Sequence, residues 1–213
     1  MMLFIDRTDA GEQLARSIEP DHFKGKNTIV LGIPRGGIAV GDPVAQKLAC
    51  PLIPVTLRKL PVPGDDQMGF GAVTLDKNII VNDEMLRRGY VRSADINPIV
   101  DEVYKEVLRR DRVYRGNTPF PSLKDRAIII VDDGLATGYT MLAAIKFARG
   151  KKASKIIAAV PVAHAEAFDR VKKVADTLLC LHVDSGFSFA VAAFYDSFPD
   201  MTDTEVLNIL KKY

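Results

Sequence analysis

Cysteine is scarce in this chain. Cys50 and Cys180 are too few for a disulfide framework or a four-cysteine zinc site. As isolated thiols they are expected to pack as small hydrophobes. Histidine is equally thin. His164 and Glu166 form a His-x-Glu pair, but the Pro-Cys-x-x-Cys that completes a zinc deaminase site is missing. His22 and His182 have no ligand partner near them in the sequence, so the three histidines read as structural or surface residues. There is no charge surplus: 29 Lys and Arg stand against 27 Asp and Glu, a net of +2. Dedicated nucleic-acid binders carry a basic excess or stripe, so nucleic acid is not expected as a partner. No apolar run approaches the ~20 residues of a membrane span. The apolar start from Met1 to Ile5 is broken by Asp6, Arg7 and Asp9 before a signal-peptide core can form. Internal repeats, low-complexity tracts and long linkers are also missing. The expectation is a soluble, cytoplasmic globular protein with no membrane partner.

What is present is an ordinary globular mixture, 47% hydrophobic and 26% charged. A length of 213 residues is long for one minimal domain and short for two, which points to one domain, 1–213, with an insertion. Three runs read as buried parallel strands: 28–31, 127–131 and 155–160. They are short, β-branched and apolar at consecutive positions, so neither face should meet water. The run 52–57 contains Pro54, which cannot donate a ladder hydrogen bond, and so is either not a strand or lies near an edge. A fifth candidate is 177–183. Helical spacing of apolar residues falls between the strands, over 38–49, 139–149 and 165–175, with Gly150 as a C-cap. Strands alternating with helices predict an α/β fold: about five mainly parallel strands flanked by helices.

The stretch 58–126 breaks that rhythm. It opens with a loop rich in Pro and Gly, 59–69. A hairpin follows, 72–75 and 79–82, turned by Asp76, Lys77 and Asn78. Then comes a polar helix with Asn97 as N-cap and Pro98 at its first position, running to about Tyr114. The pairs Asp101/Lys105 and Glu106/Arg110 have the spacing that supports it.

Residues 128–140 carry the chemistry. A buried strand ends in two adjacent carboxylates, Asp132 and Asp133. A loop with Gly134, Thr137, Gly138 and Thr140 leads into a helix. Ligands of open α/β sheets bind beyond the carboxyl ends of the strands. Small residues let backbone N–H groups approach an anion, and the helix N-terminus adds a dipole worth ~0.3–1 kcal/mol when exposed. Two acids beside an anion cradle would repel a bare phosphate. A ligand with a phosphate at one end and hydroxyls in the middle, such as a ribose 5-phosphate, satisfies both. The segment 33–37 is a second small-residue turn into a helix, with Arg35 able to pair with phosphate oxygens.

The run Val131-Asp132-Asp133-Gly134-Leu135-Ala136-Thr137-Gly138-Tyr139-Thr140 resembles the phosphoribosyl-pyrophosphate (PRPP) signature of type I phosphoribosyltransferases. The whole chain is similar to an uncharacterised bacterial and archaeal branch of that family. Its marks are Leu31 to Gly37, Arg58-Lys59, Gly71-Ala72-Val73, Tyr114-Arg115-Gly116 and Phe198-Pro199. The resemblance implies a transferase that moves the phosphoribosyl group of PRPP to a nitrogen acceptor and releases pyrophosphate. It also implies a homodimer and Mg²⁺. Asp132 and Asp133 would bind the ribose hydroxyls, stabilise the transition state and shape the Mg²⁺ shell. Ala136, Thr137, Gly138, Tyr139 and Thr140 would hold the 5-phosphate. Pro34, Arg35, Gly36, Gly37 and Arg58 would hold the pyrophosphate, with a non-proline cis peptide between Pro34 and Arg35. Residues 60–70 match a mobile lid, and Lys59 at its base would be catalytic. The insertion, 58–125, would serve the core, 25–57 and 126–183. A small hood built from 1–24 and 184–213 would hold the acceptor through Phe187, Tyr195 and Asp196. Phe189 and Phe194 are further aromatic candidates there. Some purine-salvage members have an aspartate where Ala136 stands, so a 6-oxopurine acceptor loses weight.

Four other readings compete with this one. A P-loop needs Gly-Lys followed by Ser or Thr, and Tyr139 follows Gly138. The Gly-x-Gly-x-x-Gly of dinucleotide folds is missing. A phospho-receiver domain would place its acid pair after the first strand. The remaining rival is a PRPP- or nucleotide-binding regulator of the same fold.

Overall fold

The computed structural model describes residues 2–19, 23 and 27–213. His22, and the parts of the expected hood and core at 1, 20–22 and 24–26, lie outside the described residues. In chain order the elements are α1 (Arg7–Ser17), β1 (Thr28–Gly32), α2 (Gly36–Leu48), β2 (Leu52–Pro54), β3 (Leu57–Val62), β4 (Asp65–Thr74), β5 (Ile79–Val81), α3 (Asp83–Arg87), α4 (Ser93–Arg115), β6 (Ala127–Val131), α5 (Tyr139–Gly150), β7 (Lys155–His164), α6 (Ala165–Lys172), β8 (Thr177–Asp184) and α7 (Asp203–Leu210). A 3₁₀ turn, Val191–Phe194, precedes α7.

Five strands form one sheet in the order β2-β1-β6-β7-β8, and every neighbouring pair is parallel. The apolar runs do not alternate because both faces are covered. Ile29, Leu31, Ile128 and Ile130 pack with Met141, Ile145 and Phe147 of α5 on one side. Val30, Ile129, Val131 and Ile157 pack with Val40, Val44 and Leu48 of α2 on the other. Each such side chain contributes ~1.5–3 kcal/mol on burial. The helices thus sit where the α/β reading requires them.

The insertion is a second sheet, antiparallel, in the order β3-β4-β5. It has its own apolar cluster, in which Leu60, Phe70 and Val73 meet Val100 and Val107 of α4. Three expectations change here. The run 52–57 splits after Pro54, leaving β2 as a three-residue edge strand; Leu57 starts the other sheet. Residues 60–70 are not an irregular loop but part of the β3–β4 hairpin, with register shifts on either side of Pro61. The polar helix begins at Ser93 rather than Pro98, so Pro98 lies inside it. Proline there removes one helical donor, a loss the helix tolerates because Ala94 and Pro98 both face solvent. The Glu106–Arg110 pair forms, whereas Asp101 pairs with Lys77 of the turn and Lys105 with Glu102.

The chain ends meet beside the sheet. Phe4 bridges to Tyr195, and the amides of Leu3 and Phe4 donate to the Phe194 carbonyl. Two helices unanticipated in the sequence, α1 and α7, belong to this end. Both have local signals: Asp6 caps α1 by accepting from Thr8 and Asp9, and Thr202 with Glu205 forms a capping box on α7.

Candidate active site

The buried strand β6 delivers Asp132 and Asp133 at its carboxyl end, beside the loop that follows β1. The Ile33 amide donates to the Val131 carbonyl at 2.9 Å, which fixes the two loops against each other. The two acids then diverge. Asp132 lines a cavity of about 200 Å³ together with Gly134, Leu135, Ala136, Thr137, Gly138 and Thr140. Asp133 turns the other way and its carboxylate receives the Arg7 guanidinium, Nε to Oδ2 at 2.8 Å. The backbone amide of Asp133 also donates to Asp132 Oδ1 at 2.9 Å. Burial, then the neighbouring Asp133 charge, pushes the Asp132 carboxyl well above its usual range. Burial raises Asp133 too, with Arg7 opposing it. The pair therefore favours a partner that donates hydrogens or positive charge.

The motif loop is shaped for an anion. Leu135 is pinned to β7, its amide to the Val162 carbonyl and its carbonyl to the His164 amide, both at 2.9 Å. Gly138 precedes α5 with φ +80, a left-handed conformation that a side chain would strain. Among the described residues, no protein acceptor meets the amides of Ala136, Thr137 or Gly138. The first-turn amides of α5 lie next to them. Arg170 of α6 bonds the Thr137 carbonyl and stacks on Tyr139, its guanidinium 5.1 Å from the ring centroid. Tyr139 faces a neighbouring, more open cleft with Met68, Met85 and Tyr90, not the cavity of Asp132.

The opposite end is set by the loop after β1. The Pro34–Arg35 peptide is cis. Gly36 packs directly on the acid: a Cβ at that position would stand 1.9 Å from Asp133 Oδ2. Gly37 is also tight against the Val131 carbonyl, at 2.4 Å by the same measure. The Arg35 side chain has no ion pair or hydrogen-bond partner among the described residues, and its charge reaches Arg58, Tyr114 and Glu205. Alternation along β3 separates Arg58 from Lys59. Lys59 lines the cavity of Asp132, with Gly69 of β4 beside it. Arg58 points to α4, where Nη1 lies 3.6 Å from Glu106 Oε1. Burial, then Arg110, pushes the Arg58 guanidinium below its ordinary value.

The expected acceptor residues are scattered. Tyr195 is buried against Phe4 and Phe198, with centroids 5.3 and 4.8 Å away, and is not free to stack on a ligand. Its hydroxyl donates to the Asp133 carbonyl at 2.7 Å. Phe187 stands fully in solvent. Asp196 is exposed and donates its amide to the Phe4 carbonyl. Phe189 and Phe194 stack on His164 and His182. The hood reaches the cavity instead through Val191, whose methyl carbons would stand 2.7 Å from a Cβ on Gly134. Val191, Arg7 and the cavity-lining Met141 are site residues that sequence reasoning missed. Nothing in the local sequence marks Val191 or Arg7, because each acts across a long loop closure.

Among the described residues, no cluster of three or more His, Cys, Asp or Glu side chains could cage a metal. Mg²⁺ does not need such a cage. It keeps several waters and binds one or two carboxylates plus substrate phosphates, and Asp132 suits that role. Cys50 and Cys180 are free thiols pushed up to about 11 by burial, in keeping with inert packing. No helix among the described residues is long and apolar enough to cross a membrane.

Comparison with known proteins shows the family and the fold. The profile of the phosphoribosyl transferase domain matches residues 6–196. Two Mycobacterium tuberculosis proteins, from strains CDC 1551 and H37Rv, bear the provisional name phosphoribosyl transferase. Each is 38% identical over all 213 residues, and the chain spans 47% of their length. The crystal structure of TT1426 from Thermus thermophilus covers 99% of both chains with a TM-score of 0.81 and 34% identity. A hypoxanthine phosphoribosyltransferase from Staphylococcus aureus covers 86% of this chain and 77% of its own at a TM-score of 0.50. At 10% identity it shares the fold alone. With its motif loop, acid pair and five-stranded parallel sheet, the chain belongs to the phosphoribosyl transferase family.

Proposed function

We propose that the chain transfers the 5-phosphoribosyl group of PRPP to a nitrogen of a nucleobase or similar acceptor and releases pyrophosphate. One observation carries the reading: a single cavity is shared by Asp132, the amide-rich loop 134–138 with Thr140, and Lys59. An anion cradle, an acid for hydroxyls and a cation at the rim are what a phosphorylated, activated ribose requires.

In this reading the loop amides and Thr140 bind the 5-phosphate, and the α5 N-terminus adds its dipole. Asp132 accepts from the ribose hydroxyls. The bond from C1 to the pyrophosphate oxygen breaks, the C1–N bond forms, and the acceptor nitrogen gives up its proton. Positive charge grows on the ribose ring as the leaving group departs, and Asp132 lies where that charge is stabilised. Arg35, unpaired among the described residues, and Lys59 neutralise the pyrophosphate. Mg²⁺ held beside Asp132 would supply Lewis-acid charge to the same leaving group. The β3–β4 hairpin, which carries Lys59, serves as the lid that excludes water. We assign the sheet and its helices to PRPP binding, the insertion to the lid, and the chain ends to the hood. A homodimer in the cytoplasm, nucleotide metabolism and no nucleic-acid partner complete the proposal.

Pyrophosphate release from Mg-PRPP across a panel of purine, pyrimidine and amine acceptors tests it. Release that depends on one acceptor class is the expected result. PRPP binding without turnover of any acceptor would make the chain a regulator of the same fold.

A further inference from the structure

The two motif acids do not share one environment, and the difference has a cause in the hood. We infer that Arg7 is a positioning residue. Through Asp133 it locks the loop after β1 in place, leaving Asp132 as the acid that meets the ribose. This rests on the reading of the cavity as a PRPP site.

Asp132 lines the cavity and Asp133 does not. Arg7 is held on three sides. Nε donates to Asp133 Oδ2 at 2.8 Å, Nη1 donates to the Pro199 carbonyl at 2.8 Å, and the guanidinium sits 3.6 Å from the Phe198 ring centroid. The pair is largely shielded, with side-chain exposures of 11% for Arg7 and 19% for Asp133. A planar guanidinium can hold these partners together, whereas an ammonium cannot. The hood grips Asp133 a second time, because the Tyr195 hydroxyl bonds its carbonyl at 2.7 Å. The clamped carboxylate then forms the surface on which Gly36 rests: a Cβ there would stand 1.9 Å from Asp133 Oδ2 and 2.9 Å from Arg7 Nε. Gly36 adjoins Arg35. Removing Arg7 would free Asp133 to swing and release the support of the pyrophosphate end, while the 5-phosphate loop keeps its own anchors to β7.

Calorimetry with two ligands tests this. Wild-type protein, Arg7→Gln, Arg7→Lys, Asp133→Asn and the double variant Arg7→Gln/Asp133→Asn are titrated with Mg-PRPP and with ribose 5-phosphate. The expected result is a loss of about tenfold in PRPP affinity for Arg7→Gln with less than about threefold for ribose 5-phosphate. The double variant should be no worse than Arg7→Gln alone, as for residues acting as one unit. Arg7→Lys keeps the charge but not the second bond, and should show the same pattern at smaller size; it decides the matter if Arg7→Gln does not fold. Unchanged PRPP binding, equal loss of both ligands, or additive effects in the double variant would overturn the inference. A wild-type protein that binds neither ligand would instead overturn the PRPP reading beneath it.

Discussion

The two ends of the site are built in different ways. The end proposed for the 5-phosphate is contiguous: residues 134–140 follow one strand, cap one helix and make their own anchors to β7. The end proposed for pyrophosphate is assembled from distant segments. Arg7, Gly36, Asp133, Tyr195 and Phe198 converge there, and the Arg7–Asp133 bond alone spans 126 positions. A contiguous cradle can be carried by one motif on many folds. An assembled one ties binding to the closure of the whole chain, including its two ends.

The largest expected effect separates the acids. Asp132→Asn should lower turnover by about 10²–10³, the scale of losing one preorganised electrostatic group. Asp133→Asn should fold less stably and lose PRPP affinity more than turnover of the bound complex. Steady-state kinetics beside thermal melts would show the split, and equal loss of turnover in both variants would erase it.

Gly36→Ala comes next. Its Cβ cannot coexist with the Asp133 carboxylate where it stands, so either the acid or the loop must move. PRPP binding should fall by at least about tenfold while ribose 5-phosphate binding changes little. Gly138→Ala, strained at φ +80, should weaken PRPP and ribose 5-phosphate alike, since both carry the 5-phosphate, with a stability cost of about 1 kcal/mol.

Tyr195→Phe is a smaller perturbation. It leaves the buried ring and removes one bond to the Asp133 carbonyl, so a stability loss of about 1 kcal/mol is expected in a denaturant titration.

The smallest effect lies in the insertion and depends on pH. The Arg109 guanidinium, followed by Arg110, holds the Glu106 carboxyl down at about 2, well below the ordinary 4.5, against the opposing effect of burial. A depressed carboxyl stabilises the fold above its unfolded value and loses that contribution as pH falls toward the folded one. The unfolding midpoint should therefore drop as pH falls from about 4.5 to about 2, and drop less in Glu106→Gln.

The same contrast explains what can be read in advance. Strands β1, β6 and β7 and helix α5 are legible because burial on both faces leaves continuous apolar runs such as 127–131. The motif loop is legible because its chemistry is local. The β3–β4 hairpin is hidden by Pro61, Pro63, Gly64 and Gly69, whose density resembles a loop although the strands pair around the shifts at Pro61. Pro98 draws the expected start of α4 to itself because proline favours first turns, but Asp95 with Arg92 supplies the real N-terminal contacts. The stacking role expected of Tyr195 fails because aromatic residues near a chain end more often close a core. Arg7 cannot be paired with Asp133 from spacing, since the fold is what brings them together.

Competition binding tests the two-ended site most directly. Mg-PRPP should bind the wild-type protein saturably at one site per chain, and ribose 5-phosphate and pyrophosphate should each displace it. Displacement by neither fragment, or no saturable binding at all, would contradict it.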